Sequence, residues 1–280
     1  MTLTVALVSD VFFDEDGPSR LAARLAQCRA SGAALVVLPE LPLNRWAPAT
    51  RASRPDDAEP PEGPRHQTLA AAAREAGVGV LGGAIVRDPA SGLRHNTALL
   101  VDAAGRLVLA YRKVHLPEED GFWETSHYEP GDELPAIDGT FGLKLAVQTC
   151  SDINRPEGSL IAAALGAEAI VNPRATEPTY FPRWKTVFTA IALTSGAYVL
   201  SVNRPRAEGG VPLGGPSFAV APTGEVLVET HDTVAYVTLD RAVVAEARRR
   251  YPGYLATRAD LYAEGWRRAK TTRRPHDGGL

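Results

Sequence analysis

The stretch at residues 143–157, LKLAVQTCSDINRPE, contains the transition that best indicates the fold of this chain. The apolar run at 143–149 has the composition of a buried strand, and Pro156 is a favourable first residue for a helix. Between them lies Cys150, which polar residues follow. Strands that alternate with helices are typical of parallel sheets. The stretch therefore predicts an α/β protein with a cysteine at the end of a strand.

Both halves of the chain show this alternation and close with a hairpin. In the first half we predict strands at 5–8, 34–38 and 78–86, helices at 20–30 and 66–76, and a hairpin of 97–101 with 107–111. In the second half we predict strands at 143–147, 169–171 and 198–202, helices at 158–165 and 184–194, and a hairpin of 217–221 with 226–229.

The predicted strands are near-continuous runs of Val, Ile, Leu and Ala, which indicates burial on both faces. Two similar halves predict two mainly parallel or mixed sheets that stack face to face with helices outside. The predicted fold is thus a four-layer α-β-β-α sandwich. A single doubly wound sheet would give a similar pattern, and the local sequence leaves that alternative open.

The chain of 280 residues is 45% hydrophobic, which is enough for one continuous core, and no linker divides it. We therefore predict one domain over residues 1–280. The proline-rich segment 47–64 is predicted to be a long surface loop, and loops of this length are often functional.

Charge and composition exclude several classes of partner. The net charge of −3 and the absence of a basic stripe argue against nucleic-acid binding. No apolar run approaches the roughly 20 residues of a membrane span, and residues 1–5 lack the basic start of a signal peptide. We expect a cytoplasmic protein with a small-molecule substrate. Its two cysteines fit a reducing compartment, and Cys28 lies at helical spacing among apolar residues, as a core residue would.

Three segments each supply a group that a thiol-dependent amide hydrolase requires. They are LPE at 38–40, YRKVHL at 111–116 and TCSD at 149–152. Hydrolysis of a carbon-nitrogen bond needs a nucleophile, a base and a positive group at the developing oxyanion. Cys150, Glu40 and Lys113 would fill these roles in that order. Each residue alone has an ordinary structural explanation, as a turn, a strand edge or a core residue.

Taken together and in order, the motifs of this chain resemble those of the nitrilase superfamily of carbon-nitrogen hydrolases. The resemblance spans nearly the whole sequence. It rests on LPE (38–40), YRKVHLP (111–117), Glu124 ahead of EPGD (129–132), CSD (150–152) before Pro156-Glu157, Asn203-Arg204 and ADLY (259–262).

This resemblance implies the α-β-β-α sandwich, a Glu40, Lys113, Cys150 triad and a second glutamate at Glu124. It implies no metal or organic cofactor, and a homodimer or larger assembly. We expect the segment 241–280 to lie at that interface, because its part from 241 to 266 carries more large apolar residues than a free tail should.

The roles of the triad follow from chemistry. A free thiol is only a few per cent ionised at neutral pH, so we expect Cys150 to gain from a nearby ammonium and from the amides that open the next helix. Glu40 would transfer protons to the leaving nitrogen and activate water. Lys113 and the backbone N–H of Ser151 would stabilise the oxyanion.

The predicted substrate contacts are less specific. Asn154 stands where related amidases often have an arginine, so Arg155, one position later, is a candidate replacement. His115 is a candidate to orient the substrate or to bond Glu124, and a structural role for it is equally compatible with the sequence. Asn172 is a candidate amide partner, and Glu177 and Arg174 are candidates to select charge. The aromatic residues that either wall the pocket or pack nearby are Trp46, Phe122, Trp123, Tyr180 and Trp184.

The motif context favours an amidase that releases ammonia from a small linear amide or N-carbamoyl compound through a thioester. Nitrile hydrolysis and transfer of the acyl group to an amine are the enzymatic alternatives. From a different class, the chain would be a catalytically idle binding subunit.

Overall fold

The computed structural model describes residues 1–135 and 137–269. Their strands are β1 (Thr2–Val8), β2 (Leu35–Val37), β3 (Ala58–Glu59), β4 (Gly79–Arg87), β5 (Arg94–Val101), β6 (Leu107–Arg112), β7 (Glu118–Glu119), β8 (Phe122–Trp123), β9 (Ile137–Asp138), β10 (Leu145–Val147), β11 (Ala169–Arg174), β12 (Tyr198–Asn203), β13 (Ser217–Val220), β14 (Val226–Thr230) and β15 (Val234–Asp240). The α-helices are α1 (Gly17–Ala30), α2 (Pro64–Ala76), α3 (Pro156–Ala164), α4 (Phe181–Ser195), α5 (Arg241–Arg249) and α6 (Ala259–Arg268).

Two mixed sheets form the centre of the molecule. The first has the order β15-β1-β2-β4-β5-β6, with β3 beside β4, and the second has the order β14-β13-β12-β11-β10-β9. In each sheet the central strands are parallel: β1, β2 and β4 in the first, and β10, β11 and β12 in the second. Antiparallel hairpins flank them, as the sequence predicted.

Apolar side chains from both sheets form one shared core. Leu7 and Val37 of the first sheet belong to the same buried cluster as Val147 and Leu200 of the second. A side chain of this kind stabilises the fold by about 1.5–3 kcal/mol when it is fully buried. The two sheets therefore stack face to face, and the alternative of a single doubly wound sheet is excluded.

Helices cover the outer faces of both sheets. Leu25 of α1 and Leu69 of α2 pack on the first sheet, whereas Phe188 of α4 packs on the second and Ala162 of α3 packs beside Ala146 of β10. The predicted α-β-β-α sandwich is thus confirmed.

Four helices begin two or three residues earlier than we predicted. Helices α1, α2, α3 and α4 each have a proline within their first two positions. Proline suits the first turn because its fixed φ is helical and its missing N–H would have no partner there. The prolines therefore belong inside these helices.

Strand β15 is absent from our sequence prediction. It pairs antiparallel with β1 over its whole length, from Thr2 opposite Asp240 to Val8 opposite Val234. It forms an edge of the sheet, and its burial alternates: Val237 and Leu239 lie in the core, whereas Tyr236 and Thr238 are exposed. Such alternation differs from the continuous burial of the central strands. The chain thus returns from the second sheet to the first.

The proline-rich segment 47–64 is a largely irregular connection, as expected. It contains two short 3-10 helices, Ala47–Ala49 and Pro55–Asp57, and the two-residue strand β3.

The C-terminal segment carries exposed apolar side chains. Leu261, Tyr262 and Trp266 of α6 are each 58% exposed, and Tyr251, Tyr254 and Leu255 before the helix are also exposed. Of the predicted interface at 241–280, residues 270–280 lie outside the described part of the chain.

None of the helices in residues 1–135 and 137–269 has the length and apolar character that a bilayer crossing requires.

Candidate active site

The three predicted catalytic segments follow strands that end at one side of the sandwich. Glu40 comes shortly after β2, Lys113 directly after β6 and Cys150 shortly after β10. Strand β6 runs in the same direction as β2, because two antiparallel pairings, β4 with β5 and β5 with β6, separate it from the parallel strands. The carboxyl ends of β2 and β6 therefore meet at the same edge of their sheet.

Lys113 bridges two carboxylates in the interior. Its Nζ donates to Glu40 Oε1 at 2.9 Å and to Glu124 Oε1 at 2.6 Å, and the side chains of all three residues are completely buried. Asn96 adds a second donor to Glu40, with its Nδ2 at 2.7 Å from Oε1. The structure thus brings Glu40, Lys113 and Glu124 into direct contact.

Two carboxylate oxygens of this cluster have no hydrogen-bond partner among the described residues. They are Glu40 Oε2 and Glu124 Oε2, and the buried hydroxyl of Tyr128 also has none. Buried polar atoms in native structures are usually paired. Asn96 and Lys113 both donate to Oε1 of Glu40. The other oxygen, Oε2, is therefore free to exchange a proton.

Cys150 adopts a left-handed backbone conformation with φ of 48° at the start of the 3-10 helix Cys150–Asn154. This region is unfavourable for a residue with a side chain, and such strain is found preferentially at functional sites. Its thiol donates to the carbonyl oxygen of Ala175, with Sγ and O 3.7 Å apart. The residue is 3% exposed. It follows the end of β10 in the chain, and its thiol bonds to the residue that follows the end of β11.

The charges of the cluster act on Cys150. Burial raises the pKa of the Cys150 thiol, Glu40 raises it further and Lys113 lowers it, with the net result well above the ordinary value. We expected the nearby ammonium to favour the thiolate. The ammonium is present, but burial and the carboxylates outweigh it, so the resting thiol is protonated and requires a base.

The pKa values of Lys113 and Glu124 are both raised by their surroundings. Burial lowers the pKa of Lys113, yet Glu124, Glu40 and Cys150 together hold this pKa well above its ordinary value. Burial raises the pKa of Glu124 to about 8 against the opposing effect of Lys113, and Glu40 adds to the rise. The cluster therefore has a charged Lys113, and burial opposes the ionisation of Glu124.

Asp152 joins the Cys150 turn to the Lys113 segment, a role that the sequence did not suggest. Its fully buried carboxylate accepts from Tyr111 Oη at 2.9 Å and from the backbone N–H groups of Thr149 and Val114 at 3.1 and 3.2 Å. His115 adds its backbone N–H at 2.8 Å and pairs through Nδ1 at 2.9 Å. His115 is thus bound to Asp152 and not to Glu124.

Arg204 fixes the backbone that follows Glu40. Its buried Nη1 donates to the carbonyl oxygens of Glu40 and Leu41, each at 2.9 Å, and Glu208 neutralises its charge through Nη2 at 2.7 Å. Leu41 has a φ of 49°. The Asn203-Arg204 motif was visible in the sequence, but its partners are distant along the chain.

A cavity of about 440 Å³ opens at Cys150. Its wall includes Phe122, Ser151, Ala175, Tyr180 and Trp184, and its charged wall residues are Glu119, Glu177 and Arg183. The predicted aromatic wall is thus present in Phe122, Tyr180 and Trp184. Within the described ranges the backbone N–H of Ser151 has no protein acceptor, while its hydroxyl donates to the carbonyl oxygen of His115.

Glu177 lines this cavity, whereas the other five predicted substrate contacts, Trp46, His115, Trp123, Arg155 and Asn172, do not. Trp46 is buried, with its indole N–H donated to Gly121 and its ring edge against Phe122. Trp123 lies under the guanidinium of Arg51, 3.8 Å from the ring centroid. These two tryptophans pack around the site and do not form its wall.

The structure also corrects the expectations for Asn172 and Arg155. Asn172 is fully buried, and its amide nitrogen donates to the carbonyl oxygens of Gln148 and Cys150 at 2.7 and 3.1 Å. Both of its amide hydrogens therefore hold the backbone around Cys150. Arg155 is exposed and lies outside the cavity wall.

In the described part of the chain, no three or more His, Cys, Asp and Glu side chains are arranged to hold a metal ion. Glu40 and Glu124 do converge, but on the ammonium of Lys113, which already supplies the positive charge between them.

The sequence model of the carbon-nitrogen hydrolase family matches residues 16–249, which is most of the chain. The chain belongs to the carbon-nitrogen hydrolase family. The resemblance to the nitrilase superfamily is therefore confirmed, and the protein is a hydrolase of carbon-nitrogen bonds.

Relatives of this carbon-nitrogen hydrolase include the omega-amidase NIT2 of Mus musculus, 30% identical over 88% of this chain and 91% of that protein. The omega-amidase NIT2-A of Xenopus laevis is 30% identical over 94% of this chain and 96% of its own. Among solved structures, a carbon-nitrogen hydrolase from Helicobacter pylori superposes with a TM-score of 0.85 at 25% identity, covering 95% of this chain and 99% of that one.

Proposed function

We propose that this carbon-nitrogen hydrolase is an amidase that cleaves a small linear amide or N-carbamoyl compound through a thioester on Cys150 and releases ammonia. The observation that carries the proposal is the buried Glu40–Lys113–Glu124 cluster beside a cysteine in a strained conformation. The similarity to two omega-amidases supports an amide as the substrate.

In the first half-reaction Glu40 Oε2 takes the proton of Cys150, and Sγ attacks the carbonyl carbon of the substrate. This oxygen is suited to the task because it is buried and unpaired, while Asn96 and Lys113 hold Oε1. Glu40 then returns the proton to the departing nitrogen as the tetrahedral adduct collapses. Ammonia leaves, and the acyl group remains on sulfur as a thioester.

In the second half-reaction Glu40 removes a proton from water, whose oxygen attacks the thioester carbon. The second tetrahedral adduct expels the sulfur, which recovers its proton from Glu40. The products are the free acid and the regenerated thiol, so atoms and charge balance over the cycle.

Both adducts carry an oxyanion, for which we propose Lys113 and the backbone N–H of Ser151 as the stabilising groups. The free N–H of Ser151 directly follows the nucleophile. Loss of one such donor typically costs about 2.7–4 kcal/mol of barrier. Glu124 would keep the Lys113 ammonium in position through its 2.6 Å hydrogen bond.

The cavity favours a small substrate. Its volume is about 440 Å³, and Glu119, Glu177 and Arg183 offer charges of both signs to the end of the substrate that does not react. Glu177 retains its predicted role as a candidate for selecting charge.

The test is ammonia release from a panel of linear amides, ureido acids, ureido amines and nitriles, with Cys150→Ala as the inactive control. We expect turnover of amides or ureido compounds and, in the wild type, a mass increase on Cys150 that matches the acyl group. Turnover of nitriles alone would replace the proposal with nitrile hydrolysis. Capture of the acyl group by added amines would instead indicate acyl transfer, and unchanged biological activity of Cys150→Ala would indicate a binding subunit.

A further inference from the structure

Arg174 is a fully buried arginine next to the nucleophile. It is the last residue of β11, and the next residue, Ala175, accepts the hydrogen bond from Cys150 Sγ. We named it above as a candidate to select substrate charge. Its side chain is 0% exposed and lies outside the cavity wall, and all three of its guanidinium nitrogens donate to protein groups, so it is not placed to select substrate charge.

The guanidinium of Arg174 is held by neutral groups. Its Nε donates to Thr176 Oγ1 at 3.2 Å, its Nη1 to Ser201 Oγ at 2.7 Å and its Nη2 to the carbonyl oxygen of Pro216 at 2.6 Å. Among the described residues no carboxylate lies within 4.0 Å of it. Arg204, the other completely buried arginine in residues 1–135 and 137–269, is paired with Glu208.

Two aromatic rings stabilise this cation without neutralising it. The centre of the guanidinium lies 5.7 Å from the ring centroid of Phe181 and 5.6 Å from that of Phe188. Burial lowers the pKa of Arg174 to about 9, and the thiolate form of Cys150 acts in the opposite direction. The side chain of Arg174 therefore remains charged at neutral pH. Cys150 is the acidic group whose negative charge raises the pKa of Arg174.

Arg174 is also connected to the backbone of Cys150. Ser201 accepts from Arg174 and donates to Asn172, with Ser201 Oγ 2.8 Å from the carbonyl oxygen of Asn172 and 3.1 Å from its Oδ1. Asn172 in turn donates to the carbonyl oxygen of Cys150. This chain of hydrogen bonds reaches the residue whose φ is 48°.

A buried charge without a counterion is costly, and an apolar side chain of similar volume often gives a more stable protein. Stability alone therefore does not explain an arginine at this position. We propose that Arg174 is a positioning residue that holds Cys150 in its reactive conformation and supplies a buried positive charge that stabilises the Cys150 thiolate. The inference deepens the proposed function, because it assumes that Cys150 is the nucleophile.

Several charged groups share the surroundings of Cys150. Glu40, Lys113 and Glu124 act on its pKa, and Asp152 lies buried in the same turn. Glu119, Glu177 and Arg183 face the cavity. An experiment on Arg174 must leave these groups unchanged and measure the ionisation of Cys150 itself.

The test is the pH dependence of Cys150 alkylation by iodoacetamide, followed by mass spectrometry of the tryptic peptide that begins at Leu145 and excludes Cys28. Trypsin does not cleave between Arg155 and Pro156, so this peptide is 145–174 in wild type and 145–183 where Arg174 is replaced by a neutral residue. We expect Arg174→Met to move the alkylation midpoint upward by about one pH unit or more, because a positive charge that favours the thiolate is lost. Arg174→Lys should give an intermediate midpoint, because it keeps the charge but not the three fixed hydrogen bonds. Arg174→Gln is a second neutral variant if Arg174→Met does not fold.

Ser201→Ala separates position from charge. It breaks the link to Asn172 but keeps the guanidinium, so we expect slower alkylation at every pH with little change in the midpoint. Thermal unfolding provides a further readout, with Arg204→Met as the matched control. We expect Arg174→Met to unfold at or above the wild-type temperature and Arg204→Met well below it, because the latter removes the cation that pairs with the largely buried side chain of Glu208.

A midpoint that stays at the wild-type value in both neutral variants would overturn the proposal and leave Arg174 with a structural role only. The alkylation assay needs no substrate. If no amide is turned over but the midpoint moves, the proposed function fails while the role of Arg174 stands.

Discussion

Tyr111 donates its hydroxyl hydrogen to Asp152 Oδ2 over 2.9 Å and so connects the two sheets beside the candidate active site. Tyr111 lies on β6, two residues before Lys113, and Asp152 lies two residues after Cys150. Neither sheet alone holds both Lys113 and Cys150. The bond therefore fixes one half of the cluster relative to the other.

Replacing Tyr111 by Phe tests this connection. The variant keeps the ring in the core and removes one hydrogen bond to a buried carboxylate, so we expect the free energy of unfolding to fall by about 1.5–3 kcal/mol. Urea denaturation measures the change. Tyr254→Phe is the control, because Tyr254 is exposed and should show no effect. Equal stability of Tyr111→Phe and wild type would mean that Asp152 is adequately held by its other donors.

Replacing Lys113 by Met tests the centre of the cluster. The variant leaves Glu40 and Glu124 buried without their shared cation, so we expect a loss of about 3–5 kcal/mol in the free energy of unfolding. We also expect kcat to fall by a factor on the order of 10²–10³, because an oxyanion donor is lost. Lys185→Met, which breaks the partly exposed pair with Glu229, is the matched control and should change neither quantity. Retention of full activity by Lys113→Met would contradict its proposed role.

Glu124 should make stability depend on pH. Its pKa is raised to about 8 in the folded protein from an ordinary value of 4.5, so the folded state binds this proton more tightly than the unfolded state. The resulting stabilisation is complete below about pH 4.5 and is lost as the pH rises through about 8.

Glu124→Gln keeps an acceptor for Lys113 and cannot titrate. We therefore expect wild type to lose stability relative to this variant across that pH range, as thermal unfolding in a series of buffers would show. Parallel curves for the two proteins would exclude a raised pKa at Glu124.

For the C-terminal segment we propose a two-fold interface with a second copy of the chain, built on α6. Leu261, Tyr262 and Trp266 expose more than half of their surface, and large apolar patches of this kind mark interaction sites. We expect a dimer in solution at micromolar concentration that Trp266→Ser weakens, as sedimentation velocity would show. Leu165→Ser, at a similarly exposed site after α3, should leave the dimer unchanged in the same measurement. A monomeric wild type would reject the interface.

Sequence alone predicted the layers of this fold, because each buried strand and each helix carries its own hydrophobic pattern. It failed at β15, in which only alternate side chains such as Val237 and Leu239 are buried and whose partner, β1, lies more than 200 residues away. It recognised Pro156 as a favourable first residue of a helix, which is where α3 begins, but it assigned the helix itself only from residue 158. The first error concerns the pairing of two strands that are distant in the chain. The second concerns the position at which a helix begins, and it is smaller than one helical turn.

For the site, the order of the motifs was enough to name Glu40, Lys113, Glu124 and Cys150, since each is a chemically distinctive residue in a recognisable context. What only the tertiary structure decided is how these groups act on one another. The raised pKa of Cys150, the orientation of Asn172 towards the backbone and the unpaired charge of Arg174 all depend on burial and on partners from other strands. Burial and partners are set when distant segments pack together, and no local pattern of residues records them.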